Sequence, residues 1–382
     1  MEWEDTKSWS ESFDEFMSQF DDLFLRSESR EKAKLYVRGL LADVERKNAW
    51  QLAEVLNLDS PHPLQRLVNE GKWDEDRVQK RKRQVVNKRL SAAGVIVIDE
   101  SGFVKKGTKS AGVARQYCGR VGKVENCQVG VYLVYASPTA SVFLDRRLYL
   151  PKVWCEDAQR RQEAAIPSQI EFRTKPELAQ DMLDEVWAEG STAHYVTGDS
   201  LYGNSPGLRN FIDRSHHSYV MAIGSQHRVF YQGSRQALKT IAQAIPSTDW
   251  EKIAFTLTET GWIWYEWTAC RIEMANDEIG EQWLLIRRRL GEQQEFDFFL
   301  SNAPPDSAFT DLVAVALMRH QIEQSFEEAK EQLGLADYEV RTWHGWHRHM
   351  TLCFLAHTWL TLMSMNERQK KATSALDELQ SG

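Results

Sequence analysis

The spacing of apolar residues divides the chain into a helical first part and a strand-rich part that begins near residue 93. Over residues 10–90, apolar side chains recur at intervals of three and four, the period of an amphipathic α-helix. Pro61 and Pro63 interrupt this pattern before it resumes at Leu64. The sequence therefore predicts an N-terminal helical region over residues 1–90. Its periodic apolar residues are Phe13, Phe16, Met17, Phe20, Leu35, Val37, Leu40 and Leu41.

From residue 93 the pattern changes to short runs rich in β-branched and aromatic residues. The run AGVIVID is apolar at consecutive positions, which is typical of a strand buried on both faces. Pro176 suits the first turn of a helix. The predicted order is three strands, a helix, a strand, a helix and a strand, which matches an RNase H-like mixed sheet with helices on both faces. The strands are predicted at 93–99, 127–137, 141–151, 194–199 and 218–223, and the helices at 176–189 and 205–215.

Residues 225–303 carry further strand patterns that this plan does not require, so they predict a β-rich insertion subdomain. One helix is predicted from residue 306 to about 334, and a last helix over 346–365. The fold class is therefore α/β. The predicted parts are a helical N-terminal region (1–90), the first part of the RNase H-like domain (91–224), the insertion (225–303), its helical completion (304–366) and a polar C-terminal tail (367–382).

Composition excludes several classes of protein. The chain has 382 residues, of which 42% are hydrophobic, and its mean hydropathy is −0.50. It has no apolar run long enough for a membrane span, and the acidic start MEWEDTKSW has no apolar signal region. A cytoplasmic location is expected. The five widely spaced cysteines indicate reduced thiols and no structural zinc. No GxxxxGK[ST] loop occurs, so no nucleotide cofactor is indicated, and no triad order typical of a serine hydrolase suggests itself.

Charge is unevenly distributed along the chain. The net charge is −8, and residues 1–30 contribute nine acidic and three basic side chains. A dense basic segment, residues 77–89, precedes the first predicted strand. Such a run is usually a solvated helix face, but it also suits contact with nucleic-acid phosphates. Charge alone does not decide between these interpretations.

Three separated acids suggest phosphoryl-transfer chemistry. Asp99 and Asp199 end the predicted first and fourth strands, which are neighbours in an RNase H-like sheet, and Glu323 on the late helix would reach the same edge. Converging carboxylates raise one another's pKa unless a cation neutralises them. Mg²⁺ or Mn²⁺ prefers such oxygen ligands, and two ions about 3.5–4 Å apart activate an attacking oxygen and stabilise the leaving one. We therefore predict these three acids as catalytic residues and metal ligands, although each aspartate alone also suits a turn or helix cap.

The late helix places two cations beside its acid. At about 100° per residue, Arg319 lies roughly 40° and Lys330 roughly 20° from Glu323 around the helix. A carboxylate flanked in this way could bind a metal while the cations contact phosphates. The alternative is a solvated face, because Glu327, Glu328 and Glu331 crowd the same helix.

Three blocks in the right order carry a family resemblance. VIDESGFVKKGTKSAGVARQYCGRVGKVENCQVGVYLVYAS, GDSLYG and IEQSFEEAKEQLGLADYEVRTWHGWHRHMTL resemble bacterial insertion-sequence transposases of the DDE superfamily, in the branch with a β-rich insertion before the third acid. The resemblance covers roughly residues 90–365. It implies that Asp99, Asp199 and Glu323 form the catalytic triad. Arg319, Glu323 and Lys330 also match the group's Tyr-Arg-Glu-Lys motif, but the tyrosine position is Ala316.

The predicted function is a DNA transposase that cleaves insertion-sequence ends with Mg²⁺ or Mn²⁺ and joins 3′-hydroxyls to target DNA. Expected partners are the terminal inverted repeats, target DNA and a second copy of the chain in a synaptic homodimer. Alternatives are a regulatory DNA-binding protein on the same fold and a general RNase H-like nuclease without strand transfer. Trp264 and Phe298 are candidates for stacking on a flipped base. Predicted DNA contacts are Arg81, Arg83, Lys105, Lys106, Arg115, Arg319, Lys330, Arg341 and Arg348.

Overall fold

The computed structural model describes residues 3–258, 261–274, 278–290 and 295–381. Within this part, five helices precede the first strand, as the apolar spacing predicted. Asn48 caps α3 and Asp74 caps α5, each accepting hydrogen bonds from backbone N–H groups of the first turn. The five are α1 (Trp3–Ser18), α2 (Ser27–Leu41), α3 (Ala49–Val55), α4 (His62–Asn69) and α5 (Glu75–Asn87).

Twelve described strands form one mixed sheet. The first six are β1 (Val95–Val104), β2 (Ala114–Cys118), β3 (Lys123–Ser137), β4 (Ala140–Leu148), β5 (Tyr195–Gly198) and β6 (Ser218–Ile223). The others are β7 (Arg228–Tyr231), β8 (Ser234–Ala237), β9 (Glu251–Thr258), β10 (Gly261–Met274), β11 (Glu281–Arg289) and β12 (Phe296–Ser301). Residues 259–260, inside the predicted strand that includes TETGW, lie outside the described residues.

The centre of the sheet has the predicted RNase H-like arrangement. β1 lies between β3, to which it is antiparallel, and β5, to which it is parallel, and β5 is parallel to β6. One detail of the prediction was wrong, because β1 does not end at Asp99. It continues to Val104, paired with β3 as far as Cys127, so Asp99 lies within the strand opposite Tyr132. The short strand β2 was not predicted.

The segment 225–303 extends this same sheet. β12 pairs with the edge of β6, and the order continues through β11, β10, β7 and β8, with β9 also paired to β10. The predicted strands are therefore present and join the central sheet directly. The division of the chain into domains stays a prediction.

Helices cover both faces of the sheet. α8 begins at the predicted place with a capping box, in which Thr174 and Glu177 bond to each other's backbone N–H. The predicted late helix is instead two helices, α12 and α13, joined at Arg319, and the last helix is longer than predicted. The helices are α6 (Lys152–Cys155), α7 (Ala158–Glu163), α8 (Lys175–Ala188), α9 (Ser200–Gly203), α10 (Pro206–Arg214), α11 (Leu238–Ala244), α12 (Phe309–Met318), α13 (His320–Gln332) and α14 (Trp343–Ser381).

Two apolar cores lie on opposite faces of the sheet. On one face, Tyr36 of α2 and Leu64 of α4 share a core with Phe354 of α14. On the other face, Met182 of α8 and Ile212 of α10 pack beneath the sheet. The N-terminal helices are thus fixed to the strand that carries Asp99. No helix in the described part of the chain is both long and apolar enough to cross a membrane.

Candidate active site

Asp99 and Asp199 lie side by side at the centre of the sheet. β1 and β5 run parallel, and Ile98 pairs with Gly198, so the next residue on each strand is one of the two aspartates. Neighbouring strands are about 4.8 Å apart. Asp199 is also the N-cap of α9, since its Oδ1 accepts a hydrogen bond from Leu201 N–H at 2.8 Å. The predicted adjacency of these two acids follows from the strand order.

The environment disfavours two negative charges at this point. Burial is the largest cause that raises the pKa of Asp99, and the charges of Glu100 and then Asp199 raise it further, to about 7, although Arg319 opposes them. Burial and Glu100 also raise the pKa of Asp199. Within the described residues, the charge of Arg319 does not offset these effects on either carboxylate.

A third carboxylate, Glu100, joins the elements around this pair. Its two oxygens accept hydrogen bonds at 2.8 Å from Lys175 Nζ at the start of α8 and from the Tyr202 hydroxyl in α9. Tyr202 is fully buried, so the loop that follows Asp199 is fixed to β1. The sequence did not predict Glu100, Lys175 and Tyr202 as site residues. The sequence features that could have indicated them were the acid directly after Asp99 and the tyrosine of GDSLYG.

Glu323 lies near the pair, but its carboxylate contacts side chains at the start of its own helix. Its carboxylate is 3.5 Å from Arg319 Nη2 and 3.1 Å from His320 Nδ1, and its side chain is 49% exposed. Among the residues that the structure describes, no three His, Cys, Asp or Glu side chains are close enough to hold a metal ion together. The structure thus brings Asp99 and Asp199 together, and the role of Glu323 stays a prediction.

One cavity connects Glu323 to Asp199. It has a volume of about 510 Å³, and its walls include both acids together with Arg319, His320 and Arg287. Arg319 lies at the junction of α12 and α13 and acts electrostatically on both aspartates. The cavity thus places the guanidinium of Arg319, which can donate to phosphate oxygens, beside Asp199 and Glu323.

Lys330 also acts electrostatically on Asp99. Its ammonium is 5.3 Å from the centre of the Phe326 ring, and burial lowers its pKa while Asp99 opposes that shift. Arg115 is exposed on β2. Lys106, in the loop after β1, and Arg341, shortly before α14, are exposed as well. These positions are compatible with the predicted DNA contacts, which stay predictions.

Two predicted DNA contacts are buried inside the protein. Arg83 is 3% exposed, and its guanidinium binds Asp145 at 3.1 Å and Glu189 at 2.7 Å. Arg348 is 8% exposed and donates to Glu75 and to the Trp73 carbonyl oxygen. Their donors are used within the fold, so the prediction that they contact DNA was wrong.

The remaining candidates differ in exposure. The Arg81 side chain is partly exposed to solvent, but its guanidinium donates to both carboxylate oxygens of Asp22 at 3.0 Å. Trp264 is 38% exposed on β10, with Lys252 Nζ 5.2 Å from its ring centre, so base stacking there stays a prediction. Phe298 is 2% exposed in the core, and it cannot stack on a base without unpacking the sheet.

The chain resembles known proteins over much of its length. A family model described as DDE superfamily endonuclease matches residues 15–257, a range that includes Asp99 and Asp199 and ends before Glu323. The chain is 31% identical over 222 residues to the probable transposase for insertion sequence element IS701 of Microchaete diplosiphon. That alignment covers 56% of this chain and 54% of the relative, so the chain spans about half the length of the curated relative it matches.

The matched family agrees with the geometry at the sheet centre. Its range begins in α1 and continues through the strands that carry both aspartates. Because the family model matches more than half of the chain, the protein belongs to the DDE superfamily endonucleases.

Proposed function

We propose that the protein is a DNA transposase that cleaves the ends of its insertion sequence and joins the 3′-hydroxyls to target DNA by cut-and-paste transposition. The observation that carries this proposal is the Asp99–Asp199 pair, with raised pKa values and with Arg319 acting on both acids. The similarity to a probable insertion-sequence transposase supports it. DNA is the substrate that the paired acids and the neighbouring arginine suit together.

The carboxylates at this site fit divalent metal ions. Oxygen ligands suit Mg²⁺ or Mn²⁺, and Asp99 and Asp199 repel each other when both are ionised. We assign Asp99, Asp199 and Glu323 as the residues that would hold two such ions. When bound, the ions would supply an activated water or 3′-hydroxyl and would stabilise the leaving oxygen.

The chain's own residues then orient the DNA. Arg319 and Lys330 flank the paired acids and would contact non-bridging phosphate oxygens, which places the scissile bond over the carboxylates. Glu323 would have to exchange its contacts with Arg319 and His320 for the site shared by the aspartates. DNA phosphates would compete for Arg319 and so favour that exchange.

Other parts of the proposal concern assembly. The helical region 1–90 would help to recognise the terminal inverted repeats. Two ends must be held together for cut-and-paste transposition, so a synaptic homodimer is proposed. The protein would act in the cytoplasm on nucleoid DNA.

The first experiment incubates the full-length protein with labelled duplex that carries the element's own terminal sequence, in Mg²⁺ or in EDTA. The same DNA is given to Glu323→Gln. We expect Mg²⁺-dependent cutting at the end boundary, lost in the variant while binding is retained. Binding without cutting in Mg²⁺ or Mn²⁺ would instead support a regulatory protein.

A second assay separates transposition from simple hydrolysis. Pre-cut ends with free 3′-hydroxyls are mixed with a supercoiled plasmid and the wild-type protein. Covalent joining of end to plasmid supports the transposase, whereas nicking without joining supports a general nuclease.

A further inference from the structure

A large cavity lies away from the paired acids, between the N-terminal helices and the central sheet. Its volume is about 1,220 Å³, and its walls come from α4, from the loop after β1 and from residues 338–342. Pockets for small ligands usually measure about 300–1,000 Å³, so this cavity suits a larger ligand. We call it the α4 cleft, defined by Arg66, Asn69, Lys105, Lys106, Tyr338 and Arg341.

The charge of the α4 cleft is predominantly positive. Its lining contains five cations, Lys109 included, against the carboxylates Glu70 and Glu339. Lys109 is neutralised by Glu163 at 2.5 Å. Arg66, Lys106 and Arg341 are exposed, and the described residues offer none of them an ion pair. These three cations come from three separate chain segments and line the same cavity.

Lys105 is held rigidly at the wall of the cleft. Its ammonium lies 3.5 Å from the centre of the Tyr338 ring and donates to the Tyr338 carbonyl oxygen at 3.3 Å. Tyr338 is itself fixed, because it is 5% exposed and its hydroxyl donates to Gln128 Oε1. A lysine has three donors. The remaining donors of Lys105 are therefore available to a ligand in the cleft.

The distance along the chain between the cleft and the paired acids can be stated. Lys105 comes directly after β1 and follows Asp99 by six residues, which corresponds to about 20 Å of extended chain. Phosphates of one strand in B-DNA are about 3.4 Å apart along the helix axis. The distance therefore corresponds to about six base pairs.

We propose that the α4 cleft binds the phosphate backbone of the DNA duplex whose scissile phosphate lies at Asp99 and Asp199, about six base pairs from the cut. This rests on the proposed function and adds a second contact for the same substrate. Arg66, Lys105, Lys106 and Arg341 contact the phosphates, and α4 thereby couples the N-terminal helices to the substrate. The several cations of the cleft fit a polyanion, since a single small anion would leave most of them unused.

The test compares two double variants of the full-length protein in EDTA, where DNA is bound and not cut. Arg66→Ala/Lys106→Ala removes two cations of the cleft, and Arg235→Ala/Lys239→Ala removes two exposed cations of the β7–α11 region as a matched control. The probe is labelled duplex with the element's terminal sequence, titrated over a range of salt concentrations. Each phosphate contact contributes about 0.9 to the slope of log K against log salt. We expect the cleft variant to lose about 2 from this slope and the control to keep the wild-type slope.

Several outcomes would overturn the proposal. An unchanged slope in the cleft variant removes the assigned contacts, and an equal loss in the control shows a general charge effect. Equal competition by an RNA duplex of the same sequence removes the assignment to DNA. Both variants change exposed side chains, so unfolding midpoints that match the wild type confirm that the fold is intact.

A footprint tests the position and separates this proposal from the proposed function. Wild-type protein should protect phosphates about six base pairs from the cleavage site, and Arg66→Ala/Lys106→Ala should lose that protection. Protection elsewhere, unaffected by the variant, overturns the proposed path. The bound footprint is read without cleavage, whereas failure of the proposed function appears as no cutting in Mg²⁺ by wild-type protein.

Discussion

Two clusters of carboxylates lie on the central sheet, and they differ in how their charge is neutralised. Asp145 on β4 is completely buried and lies between 3.0 and 3.3 Å from Arg83, Arg146 and Arg147. Asp99 on β1 has Glu100 and Asp199 as neighbours, and the charges of Arg319 and Lys330 act on it without lowering its pKa below the usual value. Asp145 is ion-paired with three arginines, whereas Asp99 forms no ion pair within the described residues.

The pKa values follow this difference. Burial alone would raise the pKa of Asp145, but Arg147, Arg83 and Arg146 outweigh it, and the pKa is lowered. Burial and neighbouring acids raise the pKa of Asp99 to about 7. A carboxylate that stabilises the fold is therefore paired inside it, whereas the pKa of each aspartate in the candidate active site is raised, as is common at functional sites.

The basic residues divide in the same way, into those that are paired inside the fold and those that are not. Arg83 and Arg348 use their donors on internal carboxylates and carbonyl oxygens. Arg66, Lys106 and Arg341 face the α4 cleft and make no ion pair within the described residues. Residue type alone did not distinguish these groups, because both contain arginines.

The largest effect is expected for Asp99→Asn. This change removes one member of the acid pair, and transition-state stabilisation of several kcal/mol corresponds to a loss of cleavage of at least about a thousandfold. Cleavage of end duplex in Mg²⁺ measures it, and duplex binding in EDTA should be retained. Asp311→Asn, an exposed acid on α12, is the matched control. Wild-type cleavage by Asp99→Asn would remove this residue from the site.

Asp145→Asn should instead act on stability. It leaves three arginines without their shared carboxylate, and breaking a buried pair of this kind costs about 3–5 kcal/mol. Urea unfolding in EDTA measures the free energy of unfolding. Asp99→Asn should lose none of it under the same conditions. If the two variants unfolded at the same urea concentration, the contrast between the clusters would be contradicted.

The pH dependence of stability should identify Asp99 directly. Its pKa is higher in the folded than in the unfolded protein, where about 3.9 is usual, so the folded state retains this proton to higher pH. The stability that this proton contributes is present below about pH 4 and is lost as the pH rises to about 7. In EDTA, Asp99→Asn should therefore gain stability over the wild type between pH 4 and 7, with a constant difference above pH 7. Urea midpoints at pH 4, 5.5, 7 and 8 measure it, and a pH-independent difference would contradict the assignment.

The smallest effect is expected for Glu100→Gln. It removes the charge that raises the pKa of both aspartates and keeps an acceptor for Tyr202. Cleavage in Mg²⁺ should then begin at lower pH, with the rate at pH 8 changed less than tenfold. Tyr202→Phe, which keeps the charge of Glu100, is the control and should leave the pH profile in place. A Glu100→Gln profile that coincides with the wild type would restrict Glu100 to a structural role.

Much of the fold was predictable because its elements have strong local signals. The consecutive apolar residues 95–98 define a buried strand, and the Thr174–Glu177 box marks the start of α8. Element ends were less predictable. β1 passes through Asp99 to Val104 because pairing with β3 continues, and no local signal in ESGFV indicates that pairing.

The candidate site was predictable in part for a similar reason. Strand order places Asp99 beside Asp199, and that order followed from the sequence of strands and helices. Glu100 was missed, because its role depends on Lys175 and Tyr202, which are 75 and 102 residues away. Phe298 was a plausible stacking residue by type, but β12 lies within the sheet and buries its ring.

The sequence by itself determined the secondary elements, the RNase H-like order of the central strands and the two aspartates that this order makes neighbours. These depend on local periodicity and on chain order, which a sequence contains directly. Only the tertiary structure decided which charges are neutralised. Arg83 and Arg66 have the same chemistry, yet one is enclosed by Asp145 and Glu189 and the other borders an open cleft. Ion pairing depends on distances of 3–4 Å between residues far apart in the chain, so it is fixed only when the fold forms.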